Sequence, residues 1–342
     1  MTVTDARNHA SAPSYRTFYE QALHYFDRPG EGRPTAAVGT RAAWTSDDLR
    51  RSEAEWCHRL TAEQLDELGA GAARAVEFGV PLTSVDERTF PTPSLDEAVA
   101  RWRRELDDGL GVICLKGLPV REWGEEASRV VHWYLGHRLG VPGAQNPAGD
   151  LLGHVIDLGG PDAHVRKYQT ADDITFHCDA ADVVGLLCHR TAAEGGQSRI
   201  ASSVTVFDRL VAERPDLVDE LFEPFPIDRR GEEGPGEAPT FDVVPCRWDG
   251  ERLRTFWHSD YMRSAHRHDS VAAPTERRRA ALDAFDELAG SPDVFYDMWL
   301  EEGDVQLISN HSVVHARTGY VDVDDPAERR HLLRLWLSLE QR

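Results

Sequence analysis

The sequence predicts a mainly β protein, with a β-sandwich or jelly-roll core and helices packed outside it. Three observations predict this. From about residue 150 the chain turns into short apolar runs separated by Gly/Pro/Asp-rich loops, among them VVGLLC (183–188), VQLIS (305–309) and LLRLWLSL (332–339). Only two helical patterns interrupt that strand-rich part. No internal repeat or low-complexity tract points to a solenoid or an array.

Taken in order, residues 1–45 mix Ala, Gly, Pro and charge with little periodicity and read as a loose arm. Residues 46–79 read as helical, with Leu49, Trp56, Leu60, Leu65 and Leu68 near helical spacing. SLDEAVARWRRELDDG predicts a second helix. Ser94 and Glu97 match a capping box, Leu95, Val99, Trp102 and Leu106 line one face, and Gly109 stops it. GVICLKGLP (111–119) reads as a buried strand running into a turn. One later helix starts after Ser202–Ser203 and ends before Pro215. The other, 274–290, has Thr275 as N-cap, an Ala281/Leu282/Phe285/Leu288 face and Gly290 as its stop. Residues 46–342 are expected to form one domain.

Composition narrows the function. The chain has 342 residues, 41% hydrophobic and 28% charged, as an ordinary globular protein does. Its 59 acidic and 38 basic residues give a net charge of −21, which repels nucleic acid and anionic membrane. A small-molecule substrate is the better expectation. No apolar run approaches the roughly 20 residues of a transmembrane helix. The stretch MTVTDARNHASAPS lacks the basic and apolar regions of a signal peptide. Cys57, Cys114, Cys178, Cys188 and Cys246 form no CxxC pair, which suits a reducing cytoplasm rather than a disulfide framework. A homo-oligomer is left open.

The stretch ITFHCDAADVVGLLC (174–188) carries the chemistry. On a strand, positions i and i+2 share a face, so His177 and Asp179 project together while Phe176 and Cys178 face the other way. An imidazole and a carboxylate so placed are two legs of a 2-His-1-carboxylate triad, which holds Fe(II) and leaves positions open. An H-x-D tripeptide alone is weak, since the chain has 15 histidines and a second one at His258-Ser259-Asp260. The C-terminal part strengthens it. There Asn310 is followed five residues later by His315, then an acidic loop, then a strand with Arg330 and Arg334 on its even face between Leu332 and Trp336. Its odd face is mostly leucine. A buried arginine needs an anionic partner, either a protein carboxylate or a bound dicarboxylate.

Four motifs in order, FHCDAADVVGLLC, AAEGGQSRIASSV, GDVQLISNHSVVHAR and RRHLLRLWL, resemble the taurine dioxygenase-like (TauD/TfdA) family of Fe(II)/2-oxoglutarate-dependent oxygenases, of the clavaminate synthase-like superfamily. The likeness spans roughly residues 95–342. It implies a double-stranded β-helix (jelly-roll, cupin-like) core. It implies Fe(II) as metal, 2-oxoglutarate as co-substrate and O2 as oxidant. His177, Asp179 and His315 would be the iron ligands, His315 rather than His311 because of its spacing from Asn310. Arg330 and Ser198 would hold the far carboxylate of 2-oxoglutarate, with Arg334 beside co-substrate or substrate. Ser309 departs from the family, where an Asp is common before the Asn. Because Asp179 keeps the carboxylate that halogenating relatives lack, oxidation is favoured over halogenation.

The implied activity is hydroxylation of a C–H bond in a small polar metabolite, an amino acid or natural-product intermediate, with release of succinate and CO2. Desaturation, cyclisation or epimerisation would begin with the same hydrogen abstraction. A non-catalytic metal-binding jelly-roll protein is a third reading, disfavoured by the arginines beside the triad. A zinc hydrolase is weaker still, for want of a general base. Gln145, Asn146, Arg166, Tyr168 and Gln169 on loops before the first ligand, and Arg317 after the last, are candidate substrate contacts; ordinary loop hydrogen bonding explains each equally well.

Overall fold

Two β-sheets face each other in the computed structural model, which describes residues 15–157, 170–234 and 236–339. Their strands are β1 (Cys57–Arg59), β2 (Val112–Lys116), β3 (Val141–Gly143), β4 (Gly153–Val155), β5 (Ile174–His177), β6 (Val183–Arg190), β7 (Ser198–Ser202), β8 (Phe295–Met298), β9 (Val305–Ser309), β10 (Val313–Arg317) and β11 (His331–Ser338). The larger sheet has the order β1-β2-β9-β6-β11-β3, with β4 also on β11, and the smaller has the order β8-β7-β10-β5. The chain crosses from sheet to sheet twice over. β5, β6 and β7 alternate small, large, small, and β9, β10 and β11 alternate large, small, large. That alternation is a double-stranded β-helix.

The main helices are α1 (Phe18–Phe26), α2 (Ala62–Glu77), α3 (Asp96–Asp108), α4 (Val120–Leu139), α5 (Ser203–Glu213) and α6 (Glu276–Ala289). The period of two along β11 decides what faces them. Leu333, Leu335 and Leu337 point outward and are buried with Val131 and Leu135 of α4. Burial of such a side chain contributes about 1.5–3 kcal/mol. Gly136 lets α4 come this close, since a Cβ there would lie 2.1 Å from a Leu335 methyl. Over the small sheet, Phe207 and Leu210 of α5 and Phe285 of α6 pack on Ala201 and Val314. The even residues of β11 point between the sheets. Trp336 joins Val184, Ile200, Val313, Trp44 and Trp56 to fill one end of that space. The other end holds a cavity.

Three local expectations change. Within the expected arm, Phe18–Phe26 is a helix with a complete capping box between Thr17 and Glu20. The span 46–79 is interrupted: short helices Ser46–Arg51 and Glu53–Trp56 lead into β1, because Cys57–Arg59 pairs in parallel with Cys114–Lys116 and tertiary pairing overrides helical spacing. The capping box at Ser94 and Glu97 is not made. Pro93 opens a 3-10 turn over Pro93–Leu95, and Ser94 Oγ instead donates to Glu67 Oε2 of α2 at 2.6 Å. The α4 helix carries no sequence expectation at all, although it is 20 residues long.

Helix α1 is tied to the core through Asp182, which is 1% exposed. Its carboxylate accepts from His24 (2.9 Å), Arg28 (2.6 Å), His311 (2.7 Å) and the Leu339 backbone N–H (2.7 Å). Burial works against the charge, but the hydrogen bonds from His24 and His311 and the charge of Arg28 outweigh it, holding the carboxyl far below the ordinary range. A depressed native pKa stabilises the fold above the unfolded-state value, about 3.9, and that contribution is lost progressively as pH falls below it toward the native pKa. Asp182→Asn should therefore cost about 3–5 kcal/mol at neutral pH in urea unfolding. The gap from wild type should narrow under acid; a pH-independent gap would refute the assignment.

Candidate active site

The two imidazoles of the sequence motif meet through strand register. β5 and β10 are antiparallel with His177 opposite His315, which brings the rings to 4.2 Å between centroids. Asp179 lies just past the end of β5. Asn310 fixes that stretch from the end of β9. Its Oδ1 accepts the Asp179 N–H (3.1 Å), its Nδ2 donates to the Ala181 carbonyl (2.9 Å), and its own N–H donates to the Asp182 carbonyl (2.9 Å). The Asn that marks the motif thus acts as a backbone clamp behind the carboxylate. Ser309 sits buried at the end of β9, its N–H on the Gly111 carbonyl.

His177, Asp179 and His315 each offer one ligand atom within 4.8 Å of the others. His177 Nδ1 donates to the Thr175 carbonyl at 2.9 Å, which fixes the tautomer and leaves Nε2 as the donor for a metal. Asp179 Oδ2 is buried without a hydrogen-bond partner among the described residues, and His315 Nε2 lies 3.8 Å from it. Burial pushes Asp179 up, but Arg334, His315 and His177 outweigh it and hold the carboxyl down at about 2. Burial pushes His315 down to about 3 and His177 in the same direction. An ionised carboxylate and two neutral imidazoles are the protonation states a divalent ion requires. An orphaned buried oxygen within reach of two such rings fits Fe(II).

The cavity beside the triad is lined by His177, His315, Ser198, Arg317, Arg330 and Arg334 with Val155, Ile174, Val184, Leu186, Ala316 and Leu332. Arg330 is 5% exposed, and no carboxylate of the described residues forms an ion pair with its guanidinium, whose Nη1 is buried without a hydrogen-bond partner. Asp322 takes only its backbone N–H, at 2.7 Å. Both guanidinium groups lie over the ring of Tyr320, Arg330 at 4.8 Å and Arg317 at 4.9 Å from its centroid. Burial and the neighbouring Arg330 lower Arg317 to about 10. One edge of Arg317 donates to the Thr170 carbonyl (2.7 Å) and to the Asp172 carbonyl, while its Nε and Nη1 are buried without hydrogen-bond partners among the described residues.

Ser198 faces this cluster from β7, opposite Arg317 in register, and donates to Gln306 Oε1 at 2.8 Å. Two glycines in the left-handed region, Gly195 (φ 75) and Gly196 (φ 74), turn the chain into β7. A Cβ on Gly195 would lie 2.3 Å from the Gly319 carbonyl oxygen, so the close approach as well as the φ requires glycine there.

Other candidates fall elsewhere. Arg334 donates from Nε to Gln145 Oε1 (2.7 Å) and from Nη1 toward Asp179 Oδ1 (3.4 Å). Gln145 is 2% exposed, with its Nε2 on the Arg334 carbonyl (2.7 Å), so it braces Arg334 rather than lining the cavity. Asn146 closes a turn with Asp150 and does not line the cavity either. Arg166, Tyr168 and Gln169 lie outside the described residues. Cys178 points into the core behind the small sheet. His258 of the second H-x-D packs against His177 (5.2 Å between centroids) and stacks on Tyr261, outside the ligand set. Gln306 and Asp182 went unnoticed in the sequence. A polar residue in an otherwise apolar strand, as in VQLIS, was the signal available for Gln306.

A double-stranded β-helix enclosing a His/Asp/His cluster and a buried arginine, Arg330, that has no ion-pair partner among the described residues is the arrangement expected of a non-haem iron oxygenase of the 2-oxoglutarate-using class. The profile of the taurine catabolism dioxygenase TauD, TfdA family matches residues 78–336, and the chain belongs to that family. It is an Fe(II)- and 2-oxoglutarate-dependent oxygenase that uses O2. FR-33289 synthase of Streptomyces rubellomurinus is 30% identical over 309 residues, 89% of this chain and 91% of that protein. Among solved structures, an asparagine oxygenase in complex with Fe(II), 2S,3S-3-hydroxyasparagine and succinate superposes with a TM-score of 0.65 at 20% identity, covering 83% of this chain and 93% of that one. The non-haem iron oxygenase OrfP in complex with Fe and alpha-ketoglutaric acid gives 0.62 at 15% identity, covering 83% and 94%. At these identities the two structures show the shared fold. Among the described residues no helix is long and apolar enough to cross a membrane.

If Asn310 clamps the Asp179 loop, Asn310→Ala should weaken Fe(II) binding by about 10–100-fold, the usual effect of removing an outer hydrogen bond. Anaerobic Fe(II) titration checks this, with circular dichroism reporting an intact fold. Unchanged affinity would remove Asn310 from the site.

Proposed function

We propose that this protein hydroxylates a C–H bond of a small polar metabolite, an amino acid or natural-product intermediate. His177, Asp179 and His315 hold Fe(II), and Arg330 and Ser198 hold the far carboxylate of 2-oxoglutarate. The observation that carries this reading is the buried Arg330 guanidinium, without a carboxylate partner among the described residues and facing the same cavity as the triad. A charge so buried is costly unless an anion meets it. Arg317, over the same Tyr320 ring, adds a second cationic edge to the same cavity. Two guanidiniums and a hydroxyl on one side suit a carboxylate, which accepts several charge-assisted hydrogen bonds.

When bound, Fe(II) with 2-oxoglutarate and O2 supplies the oxidant for the substrate C–H bond, with release of succinate and CO2. The chain's own residues position and exclude. Arg334, braced by Gln145 and leaning on Asp179, offers a cation at the triad end and is the residue placed to meet a polar or anionic group of the substrate. Val155, Val184, Leu186 and Leu332 give the cavity dry walls, which strengthens those contacts. The substrate class is supported by relatives: the asparagine oxygenase holds a hydroxylated amino acid, and FR-33289 synthase is named for a biosynthetic step.

The first test is anaerobic addition of Fe(II) and then 2-oxoglutarate to metal-free protein. A visible charge-transfer band should need both and vanish in His177→Ala; tight metal binding with no band would favour a non-catalytic metal protein. Arg330→Ala should raise the KM for 2-oxoglutarate in succinate release by about 10–100-fold, as expected for a charged hydrogen bond worth ~1.5–3 kcal/mol. An unaltered KM would move the co-substrate away from Arg330 while leaving the metal assignment intact. Candidate amino acids are then screened by succinate release.

A further inference from the structure

A second cluster of metal-type donors lies outside the triad, at the start of the strand that follows Arg330. His331 opens β11 directly after that arginine. β4 brings His154 alongside it, paired in register with Leu333, and His154 Nδ1 sits 2.8 Å from His331 Nε2 with the rings stacked 5.0 Å apart. The third member is Glu125 of α4. Gly124, at φ 74 and ψ 177, breaks the helix immediately before it. Glu125, His154 and His331 each present one ligand atom within 4.8 Å of the others. Among the described residues only the iron triad forms another such group.

We propose that Glu125, His154 and His331 form a second metal site, one that takes a divalent ion of borderline softness such as Zn2+. Two imidazole nitrogens and one carboxylate oxygen are donors that suit zinc, and three protein ligands leave room for water. A hydrogen bond between the two imidazoles accounts for one proton of one ring and gives Glu125 no part. A metal uses all three. The present nitrogen separation is short for two donors on tetrahedral zinc, whose bonds of about 2.0–2.1 Å set donors about 3.3 Å apart. The rings therefore part by about half an ångström on binding, a movement that half-buried side chains can make. Glu125 is exposed, so the ion enters from solvent. The site ties α4, β4 and the start of β11 together at the point where Arg330 is held.

The proposal does not depend on which molecule the enzyme oxidises, and stoichiometry tests it. Metal-free protein is dialysed against Zn2+ and its bound metal measured, since zinc also occupies an iron triad. Wild type should hold two equivalents, His177→Ala one, His154→Ala one, and the double variant none. The one equivalent in His177→Ala, exchanged for Co2+, should show the intense visible bands of a four-coordinate ion and lose them in His177→Ala with Glu125→Gln. A single equivalent in wild type that His154→Ala retains overturns the proposal. So do two equivalents that survive both His154→Ala and Glu125→Gln. Were the triad instead the part in error, wild type and His177→Ala would each hold one equivalent and His154→Ala none.

Discussion

The pairing of His177 with His315 across β5 and β10 is the constraint on which the site depends. Antiparallel register sets the two rings side by side, and a slip of one residue would turn either ring to the opposite face of the sheet. The register is held from both sides: β10 pairs with β7 along its whole length, Val313 to Arg317 against Ser202 to Ser198. The same pairing that places His315 opposite Ile200 places Arg317 opposite Ser198. A candidate metal ligand, His315, and the polar end of the cavity are thereby fixed by one strand.

Charge inside the barrel opposes charge outside it. The chain carries a net −21, yet its cavity gathers Arg317, Arg330 and Arg334 against one ionised Asp179. The protein distributes the desolvation cost unevenly. Arg334 is compensated by Asp179 and Gln145, and Arg317 is partly compensated by a backbone carbonyl. Arg330 keeps an edge unmet among the described residues, and its guanidinium shares the Tyr320 ring with that of Arg317. Such a site is poised for an anion rather than balanced without one, which agrees with the 2-oxoglutarate requirement of the family.

The packing around the site has its own hierarchy. Asp182 and Asn310 sit a few residues from the ligands, and their hydrogen bonds run to backbone and to α1 rather than into the cavity. They hold the loop after β5 through groups that do not line the cavity. The α1 helix, in a segment that read as a loose arm, is bound by this network: Tyr25 donates to the Asn310 carbonyl at 3.0 Å and stacks on His311.

By itself the sequence determined the chemistry. His177 and Asp179 two apart, Asn310 five before His315, the double glycine before Ser198 and the alternation along β11 are local patterns. The forces behind them act between near neighbours: strand period, φ at glycine, burial of a leucine face. Tertiary structure decided the rest. Gln145, read as a substrate contact, braces Arg334 from 189 residues away. The 46–79 span yields a strand because β2 offers a free edge. Ser94 leaves its expected cap for a glutamate on another helix. The cluster of Glu125, His154 and His331 has no signature at all, for its members come from three elements that only the folded sheet brings together. Donors separated by tens of residues or more carry no spacing rule, and only packing sets their distance.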